Sequence, residues 1–106
     1  MEKLTEQGLQ EVAQYFQALA EPNRLRILNL LREGEMNVGE ITSLCGTTGA
    51  NVSRHLTMLA KHGLVAREVR GNAAYYRIAD QQIYKLCDLV CGSIARRIGE
   101  QAAAFS

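Results

Sequence analysis

The sequence predicts a mainly α fold carrying one small β-hairpin, and three observations support this. Apolar residues recur at spacings of three and four through residues 5–20 and again through 81–105. Between these segments lie shorter helical patterns separated by single glycines, Gly34, Gly46 and Gly63. After Gly63 the period changes. "LVAREVRGNAAYYRI" places β-branched and aromatic residues on either side of Gly71-Asn72, the signature of a hairpin. A chain of 106 residues fits one domain, 1–106, able to bury roughly two-thirds of the surface its unfolded form exposes.

Taken in order, Leu9, Val12, Phe16 and Leu19 give the first helix a single apolar stripe, with Thr5 placed to cap it. Pro22 suits the first turn of a second helix, where its missing N–H has no partner to lose. Leu25, Ile27, Leu28, Leu30 and Leu31 are too many for one stripe, so this helix is expected at the centre, ending at Gly34. "NVGEITSLCG" reads as a short third helix with Asn37 as cap and Glu40 reaching back in a capping box. Gly46 breaks it, and Thr47-Thr48 start a fourth helix whose pattern ends in His62 and Gly63. Two short helices joined by a tight glycine turn form a helix-turn-helix unit. Asp80 is placed to cap the last helix, whose seam is Ile83, Leu86, Cys87, Val90, Ile94 and Ile98.

Composition excludes several classes. Nearly half the residues are apolar and there is one proline, so the chain is globular rather than disordered. It has no apolar run long enough to span a membrane and no charged-then-apolar leader, and its odd cysteine count favours free thiols in a reducing cytoplasm. The net charge of +1 is unevenly spread. Residues 54–77 hold five cations (Arg54, Lys61, Arg67, Arg70, Arg77) against Glu68 alone, whereas residues 1–40 hold seven acids against four bases. A basic end of this kind steers a polyanion even when the whole chain is nearly neutral.

In the fourth helix, Val52, Leu56 and Leu59 share one side, which turns Ser53, Arg54, Thr57, Met58 and Lys61 outward. An α-helix fits the B-DNA major groove with its N-terminal residues at base edges and phosphates. Gly49 and Ala50 are small enough for close approach. Thr47, Thr48 and Ser53 supply hydroxyls for phosphate oxygens, Thr57 lies one turn further, and Arg54 is the side chain able to take guanine bidentately. Arg67, Arg70 and Asn72 in the hairpin suit phosphate or minor-groove contact.

"EPNRLRILNLL", "VSRHLTMLAKHGLV" and "GNAAYYRI" resemble the winged helix-turn-helix repressors of the ArsR/SmtB family, over most of the chain. The resemblance implies a cytoplasmic homodimer built through the first and last helices. It also implies operator binding that ends when a ligand or oxidant reaches a sensing site, and no enzymatic activity. Where the family often has Ser-Gln-Pro or Ser-Gln-Ser, this chain has Thr48-Gly49-Ala50, so Ser53 and Arg54 must carry more of the readout. The seams of the first and last helices also exceed what a small domain covers internally. Two copies would read half-sites about one helical turn apart, making the operator an imperfect palindrome.

The family's metal sites are not reproduced. Its Cys-Val-Cys stretch aligns with Asn37-Val38-Gly39, and the last helix has no histidine. What remains is Cys87 and Cys91, at i and i+4 on one face of that helix. Such a pair can chelate As(III), Cd(II) or Hg(II), with a third thiolate from Cys45 or the partner subunit. It can instead be oxidised or take up sulfane sulfur. A helical i,i+4 disulfide is geometrically poor. Alternatively both cysteines pack as small hydrophobes in a repressor with a non-metal inducer or none, and Cys45 is read as packing. His55 is expected to bond within the helix-turn-helix or to phosphate, and His62 to sit at a helix C-terminus. An oxidoreductase would want Cys-x-x-Cys among alternating strands, which this chain lacks.

Overall fold

The computed structural model describes residues 3–99. The order is α1 (Glu6–Leu19), α2 (Pro22–Leu31), β1 (Met36–Asn37), α3 (Val38–Cys45), α4 (Gly49–Lys61), β2 (Val65–Arg70), β3 (Ala73–Ile78) and α5 (Gln82–Ile98). The predicted continuation of the last helix to residue 105 falls outside the described residues.

Local chemistry explains most boundaries. Thr5 caps α1, its side chain accepting from the Gly8 N–H at 3.0 Å. Glu21 caps α2 in the same way, with Pro22 in the first turn. Asn37 and Glu40 form the expected reciprocal box, at 2.8 and 3.0 Å. Gly46 ends α3 in the left-handed region at φ 69°, which glycine adopts without penalty. At the last helix Gln81 occupies the cap position, but it is Asp80 whose side chain accepts from the Gln82 N–H, at 2.9 Å.

One element differs from the sequence reading. The sheet has three strands rather than two, in the order β1-β3-β2, all antiparallel. Met36 and Asn37 pair with Tyr76 and Tyr75 on β3. Two residues are too short for any period to reveal, so the hairpin was legible and its third strand was not. In the hairpin loop only Gly71 has positive φ, 62°, as in a turn with glycine first.

The core gathers Ile27, Leu28 and Leu31 of α2, Ile41 of α3, Val52, Leu56 and Leu59 of α4, and Leu64, Val65, Tyr76 and Ile83. The central place predicted for α2 follows from this list. By contrast α1 buries only its C-terminal end, Ala18 and Leu19, and leaves Leu9 and Phe16 exposed. On α5 only Ile83 is fully buried, while Leu89, at 71 % exposure, with Val90, Ile94 and Ile98 lies open. Among the described residues no helix is long and apolar enough to cross a membrane.

Candidate nucleic-acid interface

α4 divides as its sequence demands. Val52, Leu56 and Leu59 are fully buried, and Ala50, Ser53, Arg54, Thr57, Met58 and Lys61 face out. Its N-terminus leaves backbone N–H groups pointing along the axis, and Thr48 satisfies one of them, accepting from Asn51 N–H at 3.1 Å. The Thr48 hydroxyl proton stays available to a phosphate. A Cβ built at Gly49 would meet Thr42 Oγ1 at an ordinary 3.8 Å, so the fold itself does not require glycine there. Thr57 donates to the Ser53 carbonyl at 2.9 Å, which leaves its oxygen as an acceptor only.

Asn51 is the residue that sequence reasoning missed. Its Nδ2 donates to Thr47 Oγ1 at 3.0 Å, and its Oδ1 accepts from Arg54 Nη2 at 2.6 Å. The first bond fixes which way the amide points, and the second holds one edge of the guanidinium. Arg54 thus stands partly oriented over the outer face of α4. The i,i+3 spacing of Asn51 and Arg54 was the available signal.

A second group fixes α4 from behind. Arg24 Nε donates to the Ala18 carbonyl at 2.7 Å and Nη2 to the Gln17 carbonyl at 3.3 Å, satisfying two of the last carbonyls of α1. Its Nη1 lies 3.4 Å from Nδ1 of His55, whose Nε2 faces Glu21 Oε2 at 3.6 Å. His55 is buried, so it joins α4 to the α1–α2 junction. The expectation of a bond inside the helix-turn-helix or to phosphate is thereby corrected: the ring is turned inward and its partners come from the start of α2. His62, at the α4 C-cap, is half-buried beside Arg24, Met58 and Lys61.

The wing is more nearly neutral than its sequence suggests. The register puts Arg67 on the face of Val65 and Tyr76, and puts Glu68, Arg70, Tyr75 and Arg77 on the other. On that second face Arg70 Nη2 meets Glu35 at 2.5 Å, Nε meets Glu68 at 3.2 Å, and the guanidinium lies 4.2 Å from the Tyr75 ring centre. The hydrogen bond from Arg70 holds the Glu35 carboxyl below the usual carboxylate range. Arg77 also faces Glu68, at 3.8 Å. Arg67 and Asn72 are exposed, and Arg67 makes no ion pair among the described residues.

The cysteines lie elsewhere and all are free thiols. Cys45 is half-buried against the core, and burial pushes its thiol up. Cys87 is half-buried too; burial raises its thiol first, then neighbouring Cys91 and Asp88, with Arg32 opposing. Cys91 is exposed. No three His, Cys, Asp or Glu residues among those described group to hold a metal, so Cys45 does not join Cys87 and Cys91 within one chain.

The helix-turn-helix domain model matches residues 19–68, from the end of α1 into β2. The HTH-type transcriptional regulator Rv0081 of Mycobacterium tuberculosis is 38% identical over 94 residues, covering 88% of this chain and 82% of that protein. Its crystal structure superposes with a TM-score of 0.82 at 35% identity, over 92% of this chain and 99% of that one. The arsenical resistance operon repressor of Bacillus subtilis is 30% identical over 94% of this chain and 96% of its own length. The chain belongs to the ArsR/SmtB family. Another structural relative is the homodimeric winged helix-turn-helix DNA-binding domain Mb0332 of Mycobacterium bovis. It has a TM-score of 0.77 and 33% identity, and covers 92% of this chain and 94% of that one.

As an ArsR/SmtB protein the chain is a DNA-binding transcriptional regulator, not an enzyme. In family terms α3 and α4 are the helix-turn-helix and β2–β3 the wing, with β1 adding an edge strand. The position of the family's thiolate pair, Asn37-Val38-Gly39, serves here as strand end and helix cap.

Proposed function

We propose that this protein is a cytoplasmic homodimeric repressor that reads an imperfect palindrome and lets go when thiol chemistry reaches Cys87 and Cys91. The observation that carries the DNA half is the division of α4, whose Val52, Leu56 and Leu59 are fully buried while Ser53, Arg54, Thr57 and Lys61 remain outside a capped N-terminus. In this reading Arg54 takes guanine, with Asn51 behind it. Thr47, Thr48, Ser53 and the helix N–H groups hold phosphates, while Gly49 and Ala50 let the helix sit deep. Thr57 accepts rather than donates. Arg67 and Asn72 reach the backbone from the wing, and Arg70 braces the wing against Glu35.

The exposed apolar faces of α1 and α5 support pairing through these helices, since Leu9, Phe16, Leu89, Val90, Ile94 and Ile98 would otherwise stay in water. Cys87 and Cys91 lie on that same α5, where ligation of As(III) or another thiophilic ion, or uptake of oxidant or sulfane sulfur, would alter the pairing and lower DNA affinity. Because no third ligand gathers with them among the described residues, a third thiolate would come from the partner subunit.

A second reading keeps the repressor and drops the thiol chemistry. It is favoured by the burial of Cys87 and its raised thiol, which suit a packing residue. One experiment separates the two. Reduced protein on its operator is exposed to As(III), Cd(II), peroxide and polysulfide in parallel with the Cys87→Ser/Cys91→Ser protein. Release of the parent alone supports sensing; equal behaviour of both rules it out.

A further inference from the structure

α5 is attached to the DNA-reading head by few groups. Ile83 enters the core, Tyr84, Leu86 and Cys87 pack against its edge, and beyond them the helix carries exposed apolar residues. How it leaves the head therefore depends on what happens in its first turns.

The end of α2 meets α5 there. Its last turn is tightened: the N–H groups of Arg32, Glu33 and Gly34 bond to the carbonyls of Asn29, Leu30 and Leu31, three residues back, at 3.2–3.3 Å. A regular helix would have spent the Arg32 N–H on Leu28, so the Leu28 carbonyl is left over. Tyr84 supplies the missing donor, its hydroxyl bonding to Leu28 O at 2.7 Å across 56 residues of sequence. Arg32 then lies with its guanidinium 4.3 Å from the Tyr84 ring centre, and its Nη2 reaches Asp88 Oδ1 at 3.5 Å. The ring is held at its tip by a backbone acceptor and on its face by a cation that also grips the next turn of α5.

We infer that this clamp, Tyr84 bonded to Leu28 and braced by Arg32 and Asp88, sets the angle at which α5 leaves the head. Tyr84 is thereby a positioning residue for the separation of the two recognition helices. The inference rests on the dimer proposed above. The geometry makes the lever sensitive. From Tyr84 to Ile98 the helix runs about 21 Å, so a tilt of about 10° at its base moves the far end by about 4 Å. That is close to the rise of roughly 3.4 Å per base pair along one DNA strand. A small loss of angular definition at Tyr84 is thus about one base pair of uncertainty in half-site spacing.

The test titrates the full chain by fluorescence anisotropy against duplexes carrying the palindrome at native spacing, at one base pair more, at one fewer, and as a single half-site. The parent is compared with Tyr84→Phe, which keeps the ring and removes only the hydroxyl, and with Arg32→Gln. The parent should favour native spacing about tenfold or more. Tyr84→Phe should flatten that preference to about threefold or less, with half-site affinity within about twofold of the parent and one cooperative melting transition. Arg32→Gln should flatten it in the same direction. A Tyr84→Phe protein with the parent's spacing profile overturns the inference while leaving the dimer intact. A parent that binds the palindrome no better than the half-site overturns both.

Discussion

Arg54→Ala is the substitution that most directly tests how this protein reads DNA. The side chain is exposed on α4 and its Nη2 is engaged by Asn51 Oδ1 at 2.6 Å, which leaves the opposite edge of the guanidinium for a base. A bidentate arginine–guanine contact discriminates by about 1–3 kcal/mol. With one copy in each half-site, the dimer should lose about 2–6 kcal/mol, and each 1.4 kcal/mol is tenfold in affinity. Because Arg54 is held in advance by a single hydrogen bond, we expect the low end, roughly 30- to 100-fold. The assay is anisotropy at fixed ionic strength against the operator and against duplexes substituted at each guanine, repeated across a salt series. Base readout predicts that Arg54→Ala no longer distinguishes one particular guanine, with the salt slope barely changed. A uniform loss on every sequence, with the slope reduced by about two, would mean phosphate contact instead. Unchanged operator affinity would refute the assignment of α4 as the reading helix. Asn51→Ala adds a cycle: if Asn51 works through Arg54, its effect should vanish in the Arg54→Ala background.

Other outcomes can be stated more briefly. Arg67→Ala should lower the salt slope of DNA binding, whereas Arg70→Ala should leave it unchanged and instead speed amide exchange in β2 and β3, since Arg70 is occupied by Glu35 and Glu68. The same contacts depress the Glu35 carboxyl, so the wing's protection is present at neutral pH and is lost as pH falls below the usual carboxylate range through the lowered value. Gly46→Ala should cost about 1–2 kcal/mol in urea denaturation from backbone strain alone, because φ is 69° and an added Cβ meets nothing within 4 Å. Cys87 has its thiol raised by burial and by Cys91, so it should remain protonated at neutral pH. Its alkylation, followed by mass spectrometry, should set in only above the ordinary thiol range.

What could be read from the sequence was what is local. Thr5, Asn37 with Glu40, and Thr48 each act on a backbone N–H three residues away, so residue type and spacing sufficed. The buried side of α4 followed from helical period for the same reason. Contacts between distant segments were hidden. The Arg70–Glu35 pair joins positions 35 residues apart, so no local spacing could reveal that a carboxylate engages Arg70. His55 was expected to bond within the helix-turn-helix or to phosphate, but its partners Glu21 and Arg24 come from the cap and first turn of α2, a segment more than thirty residues away in sequence. Cys45, Cys87 and Cys91 could be placed on their helices, yet spacing says nothing about whether Cys45 of α3 meets the pair on α5.

Asn37 ends strand β1 opposite Tyr75 and in the same position begins α3 by capping it. The edge of the wing and the start of the DNA-binding helix pair are therefore one joint, without slack between them. Adding a single residue just ahead of Asn37 would turn Met36 to the wrong side of the sheet or pull the amide out of reach of Glu40. Variation in length should thus be tolerated at the Gly71-Asn72 tip and refused here, and a grafted wing would have to bring its own Asn37 with it.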